Sequence, residues 1–310
     1  MMRSVWRGLR RSTLMPARWR LGVSLDELRQ RQLVVGLGSM KSGTTWLSGY
    51  LQSHPDFLHS PVKEMNVFNQ IFPNPFDSGW SDYRLLRMEK LVLSFGRHPA
   101  RLPRAAFRER FDRLRALAQL GTLRDCEAYL AYFAERIQRQ RHFGEITPAY
   151  SHLPADALRQ IGGLTRDVRF LFLMRDPTSR AASHLRHLRR RVRRDESLDA
   201  LIAEVGPGHP VFRRSDYRDT LQALREAELL DRAYCIIYEQ LFRQEQLDAL
   251  CGWLGMAPWR ADFDQRLNPA VGEGLSAAQL TLLRERLAPI YEGLRHEPLV
   301  ASAQSWRWEG

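Results

Sequence analysis

Val34-Val35-Gly36-Leu37-Gly38-Ser39-Met40-Lys41-Ser42-Gly43-Thr44-Thr45-Trp46-Leu47 is the stretch that decides the fold of this 310-residue chain. An apolar strand runs into a turn that holds glycines, one lysine and several hydroxyl residues. A helix is predicted from Gly43 to Ser53. Glycine lets a backbone come close to a ligand. The first N–H groups of a helix lack internal partners, and the helix dipole places partial positive charge there. A strand, such a turn and a helix together form a phosphate cradle. Lys41 adds a mobile charge, and Ser42, Thr44 and Thr45 add hydroxyl donors. Taken alone, the run is also compatible with a chance Gly/Ser/Thr turn before an amphipathic helix.

The order of residues narrows the ligand. The Walker loop places glycine directly before its lysine. Here Met40 stands there, and the glycine follows two residues later at Gly43. An ordinary ATPase or kinase loop is therefore disfavoured. Lys41-Ser42-Gly43-Thr44-Thr45-Trp46 instead resembles the 5′-phosphosulfate loop of sulfotransferases that use PAPS (3′-phosphoadenosine 5′-phosphosulfate). The resemblance implies that Lys41, Ser42, Gly43, Thr44 and Thr45 hold the 5′-phosphosulfate. It also implies that Trp46 stacks on the adenine, as in the family's cytosolic branch.

A second motif stands in the right order. Val168-Arg169-Phe170-Leu171-Phe172-Leu173-Met174 reads as a buried parallel strand. It ends in Arg175-Asp176-Pro177, and Pro177 suits the first turn of a new helix. Ser183 lies eight residues after Arg175. This spacing resembles the family's 3′-phosphate site, in which both residues clamp the nucleotide. Arginine's planar fork suits two-point binding of phosphate oxygens. A strand-end arginine paired with Asp176 is the plainer reading of Arg175 alone.

A third segment, Lys63-Glu64-Met65-Asn66-Val67-Phe68, resembles the Lys-Glu-x-His-Phe-Phe run of the glycan-modifying branch. That likeness makes Glu64 the general base and places Lys63 beside the transferred group. The family's His-Phe is Asn66-Val67 here, with Phe68 kept. Without the likeness, Lys63 and Glu64 read as a solvated ion pair. Glu145-Ile146-Thr147-Pro148-Ala149-Tyr150 resembles Glu-Lys-Thr-Pro-x-Tyr, but Ile146 replaces the lysine that serves heparan-type enzymes. Tyr217, Leu221, Tyr238, Glu239 and Leu241 match looser family positions and read as core packing. The Arg-Lys-Gly run of the cytosolic branch has no counterpart in Asn268–Gly274. The resemblance spans about residues 33 to 255. It implies a three-layer, P-loop-like α/β fold with a mainly parallel sheet between helices, PAPS as donor and PAP as product, and no metal.

Composition bounds the rest. Hydrophobic residues make up 44% and charged residues 26%, ordinary values for a soluble globular protein. Residues 32–310 read as one domain, with 1–31 as a basic arm. In that arm Arg3, Arg7, Arg10, Arg11, Arg18 and Arg20 alternate with apolar residues. It is compatible with an anionic membrane surface, a disordered leader or a packed arm. No apolar run reaches the ~20 residues of a membrane span, and no secretory core is visible, so a cytoplasmic home is expected. Cys126, Cys235 and Cys251 form neither a metal pattern nor a disulfide framework. The net charge of +12 suits anionic partners. The densest basic run, His184 to Arg194, reads as a helix whose cationic face is solvated or draws an acceptor. No nucleic-acid motif accompanies it. Only three lysines occur, at 41, 63 and 90, and two of them fall in the candidate site. Glycan, lipid and small-molecule acceptors stay open. So do two rival classes: a P-loop kinase or NTPase, and a non-catalytic polyanion- or membrane-binding protein.

Overall fold

A computed structural model describes residues 22–73, 80–96, 104–193, 195–264 and 274–306 apart from 302 and 304. The first 21 residues of the basic arm, His98, residues 268–273 and Trp308 lie outside the described residues.

Five strands form one sheet: β1 Gln32–Gly38, β2 Phe57–His59, β3 His142–Ile146, β4 Asp167–Met174 and β5 Ala233–Ile237. Their spatial order is β2-β3-β1-β4-β5, and every pairing is parallel. The expected α/β fold is therefore present. A parallel sheet needs cover on both faces, which is why its strands are near-continuous apolar runs. Alternation sends Leu33, Val35, Leu37, Phe143, Val168, Phe170 and Phe172 into the larger core. Val34, Ile146, Leu171, Leu173 and Ile236 face the other side, against the helices Thr44–Ser53 and Gln244–Leu254. Ile146 thus belongs to the core. Gly36 opposes it, where an added Cβ would come within 2.6 Å of its side chain.

Two details differ from the sequence expectation. The stretch from Pro73 to Ala106, which shows little clear period, contains a 17-residue helix, Trp80–Gly96. It pairs with the helix Arg104–Leu120. The single helix expected over Glu239–Gly255 is two, Tyr238–Leu241 and Gln244–Leu254. The chain is also tied to the domain ahead of residue 32. Ser24 caps a short helix, Leu25–Arg29, through a capping box with Glu27, and Leu28 is fully buried.

The order β3-β1-β4 matters for function. Connections leave β1's neighbours on both sides of it, so a crevice opens at the carboxyl ends of these strands. The loops after β1, β2, β3 and β4 all emerge at that edge, and they carry all three candidate motifs.

Candidate active site

The loop after β1 is shaped by two left-handed residues. Gly43 is the N-cap of the Thr44–Ser53 helix at φ 83°, where a Cβ would sit 2.9 Å from the Tyr238 ring. Lys41 adopts φ 72° with a full side chain. Non-glycine residues in this region cost ~1–3 kcal/mol and gather at functional sites. Glu64 at φ 56° and Asn66 at φ 53° share the same conformation on the segment after β2. Three of the four such residues in the described structure therefore lie in the candidate site.

Each predicted side chain has a definite place. Lys41 is half-buried, and its ammonium makes no hydrogen bond or ion pair among the described residues. Burial pushes its pKa down, and the nearby cations Arg190, Lys63 and Arg175 push the same way against Glu64. The Lys63 ammonium donates to Thr45 Oγ1 and pairs with Glu64 Oε1 at 3.1 Å. Both side chains of that pair keep more than a quarter of their surface open to solvent. Arg87 donates to the Lys63 carbonyl at 2.8 Å. A narrow pocket beside Glu64 is lined by Met65, Asn66, Arg84 and Arg87. The Arg84 Nη1 donates to the Leu120 carbonyl at 2.6 Å, while its buried Nη2 has no hydrogen-bond partner.

Ser42 turns inward, with its hydroxyl 2.6 Å from that of Ser39, so it braces the loop. Thr44 is buried, and Thr45 is half-buried beside Lys63. Trp46 is 7% exposed. Tyr50 and Phe263 lie nearly parallel to it at 5.9 and 5.7 Å between centroids, and Phe242 meets it edge-on. Trp46 thus sits in a packed cluster with three other rings, Tyr50, Phe242 and Phe263.

Arg175 follows β4 directly and reaches across to the loop, donating to the Lys41 carbonyl at 3.2 Å. Its guanidinium lies 4.3 Å above the Tyr238 ring, and its buried Nε has no partner. The turn beneath it is held on several sides. Tyr217 donates to the Arg175 carbonyl at 2.6 Å. Asp176 caps the following helix through the Ser179 N–H, and its own N–H donates to Glu239. Trp306 donates to the other Glu239 oxygen. Tyr217, Tyr238, Glu239 and Trp306 thus do more than pack; they fix the Arg175 turn.

Pro177 opens the helix Pro177–Arg191 at its first turn. Ser183 is half-buried on it, on the face that also bears Arg180, His184 and His187. This face corrects the picture of a purely solvated cationic helix. Arg180 is fully buried. It donates to Ser215 Oγ at 2.8 Å, to the Val211 carbonyl at 2.6 Å and to the Met40 carbonyl at 3.4 Å. No carboxylate pairs with it among the described residues, and burial pushes its pKa down to about 10. His184 is buried beside it, and His187 is depressed by burial and by Lys41, Arg190 and Arg191. Only the last turn, with Arg189 to Arg191, is open. The sequence analysis missed Arg180. Its spacing from His184 puts both on one helix face, but nothing in the sequence marks that face as buried.

Glu145 was also missed as a site residue. It is 1% exposed at the end of β3, and burial raises its pKa to about 7. Its Oε2 accepts from Thr147 Oγ1 at 2.6 Å. The site thus gathers one solvent-accessible carboxylate, Glu64, one buried carboxyl, Glu145, and a set of cations around a helix N-terminus. No group of three or more His, Cys, Asp or Glu among the described residues is arranged to hold a metal.

Residues 34–261 match the model of a sulfotransferase family. The chain belongs to that family. A membrane-associated sulfotransferase of Dictyostelium discoideum is 39% identical over 59 residues, which are 18% of this chain and 12% of that protein. The match thus spans about an eighth of that relative's length. The crystal structure of a sulfotransferase from Alicyclobacillus acidocaldarius superposes with a TM-score of 0.56 at 21% identity, covering 89% of this sulfotransferase and 99% of that chain. It shows the shared fold. The sulfotransferase domain of the Synechococcus olefin synthase gives 0.42 at 17% identity, over 83% and 94% of the two chains.

Proposed function

We propose that this sulfotransferase uses PAPS as donor, transfers its sulfuryl group to a hydroxyl or amine acceptor and releases PAP. The observation that carries the reading is a surplus of converging cations. Lys41, Lys63, Arg175 and Arg180 meet at one loop, and only Lys63 has a carboxylate partner among the described residues. Buried charge without a counter-ion is costly. A ligand with anionic groups at two points relieves that cost.

The residues fit such a ligand. Arg175 has a buried Nε without a partner, and Lys41 holds an unbonded ammonium among the described residues. Lys41, Ser42, Gly43, Thr44 and Thr45 form the 5′-phosphosulfate cradle, with Ser42 acting from behind. Arg175 and Ser183 take the 3′-phosphate, and Trp46 takes the adenine side. Bound PAPS supplies the activated sulfuryl group. Glu64 accepts the proton of the acceptor hydroxyl or amine, as its open position at the mouth allows. Lys41 and Lys63 neutralise charge that develops on the leaving oxygen. The acceptor is a small molecule, glycan or lipid, and the open arginines Arg189 to Arg191 favour one that carries negative charge. The reading places the protein in the cytoplasm. Membrane contact through residues 1–31 draws on their arginine pattern and on the relative named membrane-associated. No helix among the described residues is long and apolar enough to cross a membrane.

The test is Lys41→Ala in a PAPS turnover assay over an acceptor panel. Loss of its charge should cost ~2.7–4 kcal/mol of transition-state stabilisation, or about 10²–10³ in kcat. Near-normal turnover would remove Lys41 from the mechanism.

A further inference from the structure

The segment that bears Glu64 is strained twice, at Glu64 and at Asn66, and something must hold it. Within the segment, Asn66 Nδ2 donates to the Glu64 carbonyl at 3.0 Å. From outside, the Asn66 N–H donates to Thr147 Oγ1 at 3.4 Å. Thr147 is fully buried, and its hydroxyl donates onward to Glu145 Oε2 at 2.6 Å. The Phe68 N–H donates to the Tyr150 hydroxyl at 3.3 Å. The Tyr150 hydroxyl and the Met65 N–H also face Glu145, at geometries looser than a full hydrogen bond, which leaves Oε1 without a well-formed partner.

With Glu145 ionised, the polarity of this chain is set. A threonine hydroxyl has one proton, and it goes to the carboxylate. Its oxygen is therefore free to accept from the backbone. Glu145 and Thr147 alternate onto the same side of the chain as it leaves β3, beneath the base-bearing segment. We propose that Glu145, acting through Thr147, is a positioning residue that holds Asn66, and with it the Glu64 carboxylate, at the mouth of the site. Glu145 does not touch the reacting atoms. It orients the Thr147 hydroxyl, and the hydroxyl anchors the strained backbone. The inference rests on the reading of Glu64 as the base, but its test does not use sulfuryl transfer.

Amide hydrogen exchange of the full chain, read at Asn66 by NMR, is that test. Thr147→Val keeps the shape and removes the hydroxyl; Thr147→Ser keeps it. Exchange at Asn66 should rise about tenfold or more in Thr147→Val and stay near wild type in Thr147→Ser, with the β3 amides unchanged in both. Equal exchange in wild type and Thr147→Val overturns the proposal, as does a Thr147→Ser protein that exchanges as fast as Thr147→Val. Wild-type protein supplies a second readout should Thr147→Val fail to fold. Protonating Glu145 makes it a donor and competes for the Thr147 oxygen. Asn66 protection relative to the β3 amides should then fall as pH drops through about 7. The groups acting on Glu145 are Thr147, Tyr150, the Met65 N–H and Glu64, and the buried Tyr129 and Tyr132 sense its charge in turn. A flat ratio from pH 5 to 9 contradicts the proposal. A thermal shift with PAP on the same variants stays at its wild-type value if only positioning is lost; if PAP binds none of the proteins, the functional reading fails instead.

Discussion

Replacing Arg180 with methionine should weaken nucleotide binding while leaving the empty protein folded and about as stable. Its pKa falls from 12.5 to about 10 on burial, which corresponds to about 3 kcal/mol spent on keeping the charge. Methionine of similar length removes that cost. It also removes the bonds to Ser215, Val211 and Met40. The Val211 carbonyl keeps a second donor, Ser215 Oγ at 2.9 Å, and the Met40 bond is long. Loss and gain therefore nearly cancel, and apo stability should move by no more than ~1–2 kcal/mol. Binding does not cancel. Arg180 contacts the carbonyl of the residue before Lys41, so a phosphate on the far side of the loop would lie roughly 7 Å from its charge. At an effective dielectric of ~20 the attraction is about 2 kcal/mol, or roughly 30-fold in affinity. Calorimetric titration with PAP, beside a urea melt of each apo protein, measures both quantities. Unchanged PAP affinity with a folded variant would refute the reasoning, because the buried charge would then not act on the ligand.

Two further outcomes follow from the carboxyl groups. Glu64→Gln should abolish PAPS turnover and leave PAP affinity within about twofold of wild type; retained turnover would move the base role to another residue. The Glu145 pKa, raised from 4.5 to about 7 in the fold, means the folded state binds its proton more tightly. Its contribution to stability is then full below pH 4.5 and is lost as pH rises through about 7, a swing of roughly 3 kcal/mol. Urea melts from pH 4.5 to 8 should show this slope in the wild type and a shallower one in Glu145→Gln.

Much of the scaffold was legible because it rests on local rules. The loop after β1 and the Arg175-Asp176-Pro177 turn each join a near-continuous apolar run to a helix start, and both fall where expected. The Trp80–Gly96 helix escaped because its apolar residues point two ways: Met88 and Leu91 pack on the core, while a second apolar set faces outward. Leu85, Leu86, Val92 and Leu93 are 44–63% exposed, so the apolar pattern does not single out the core face. The site was legible in its charges and not in its supports. Lys41, Glu64 and Arg175 carry recognisable spacing. Arg180 and Thr147 gain their roles from contacts 31 to 140 residues away in sequence, and Glu145 gains its own through Thr147. Nothing local distinguishes Arg180 from its basic neighbours; burial does. Trp46 shows the same limit, since Phe242 and Phe263, far along the chain, pack against it.

The most direct test of the central claim is a thermal-shift titration of the purified protein with PAP, run beside ATP with magnesium and 5′-AMP. PAP at 100 times its dissociation constant should stabilise the fold by about 2.7 kcal/mol, well beyond either control. A clear response to magnesium-ATP with none to PAP would contradict the account and point to a phosphoryl-transfer enzyme on the same scaffold.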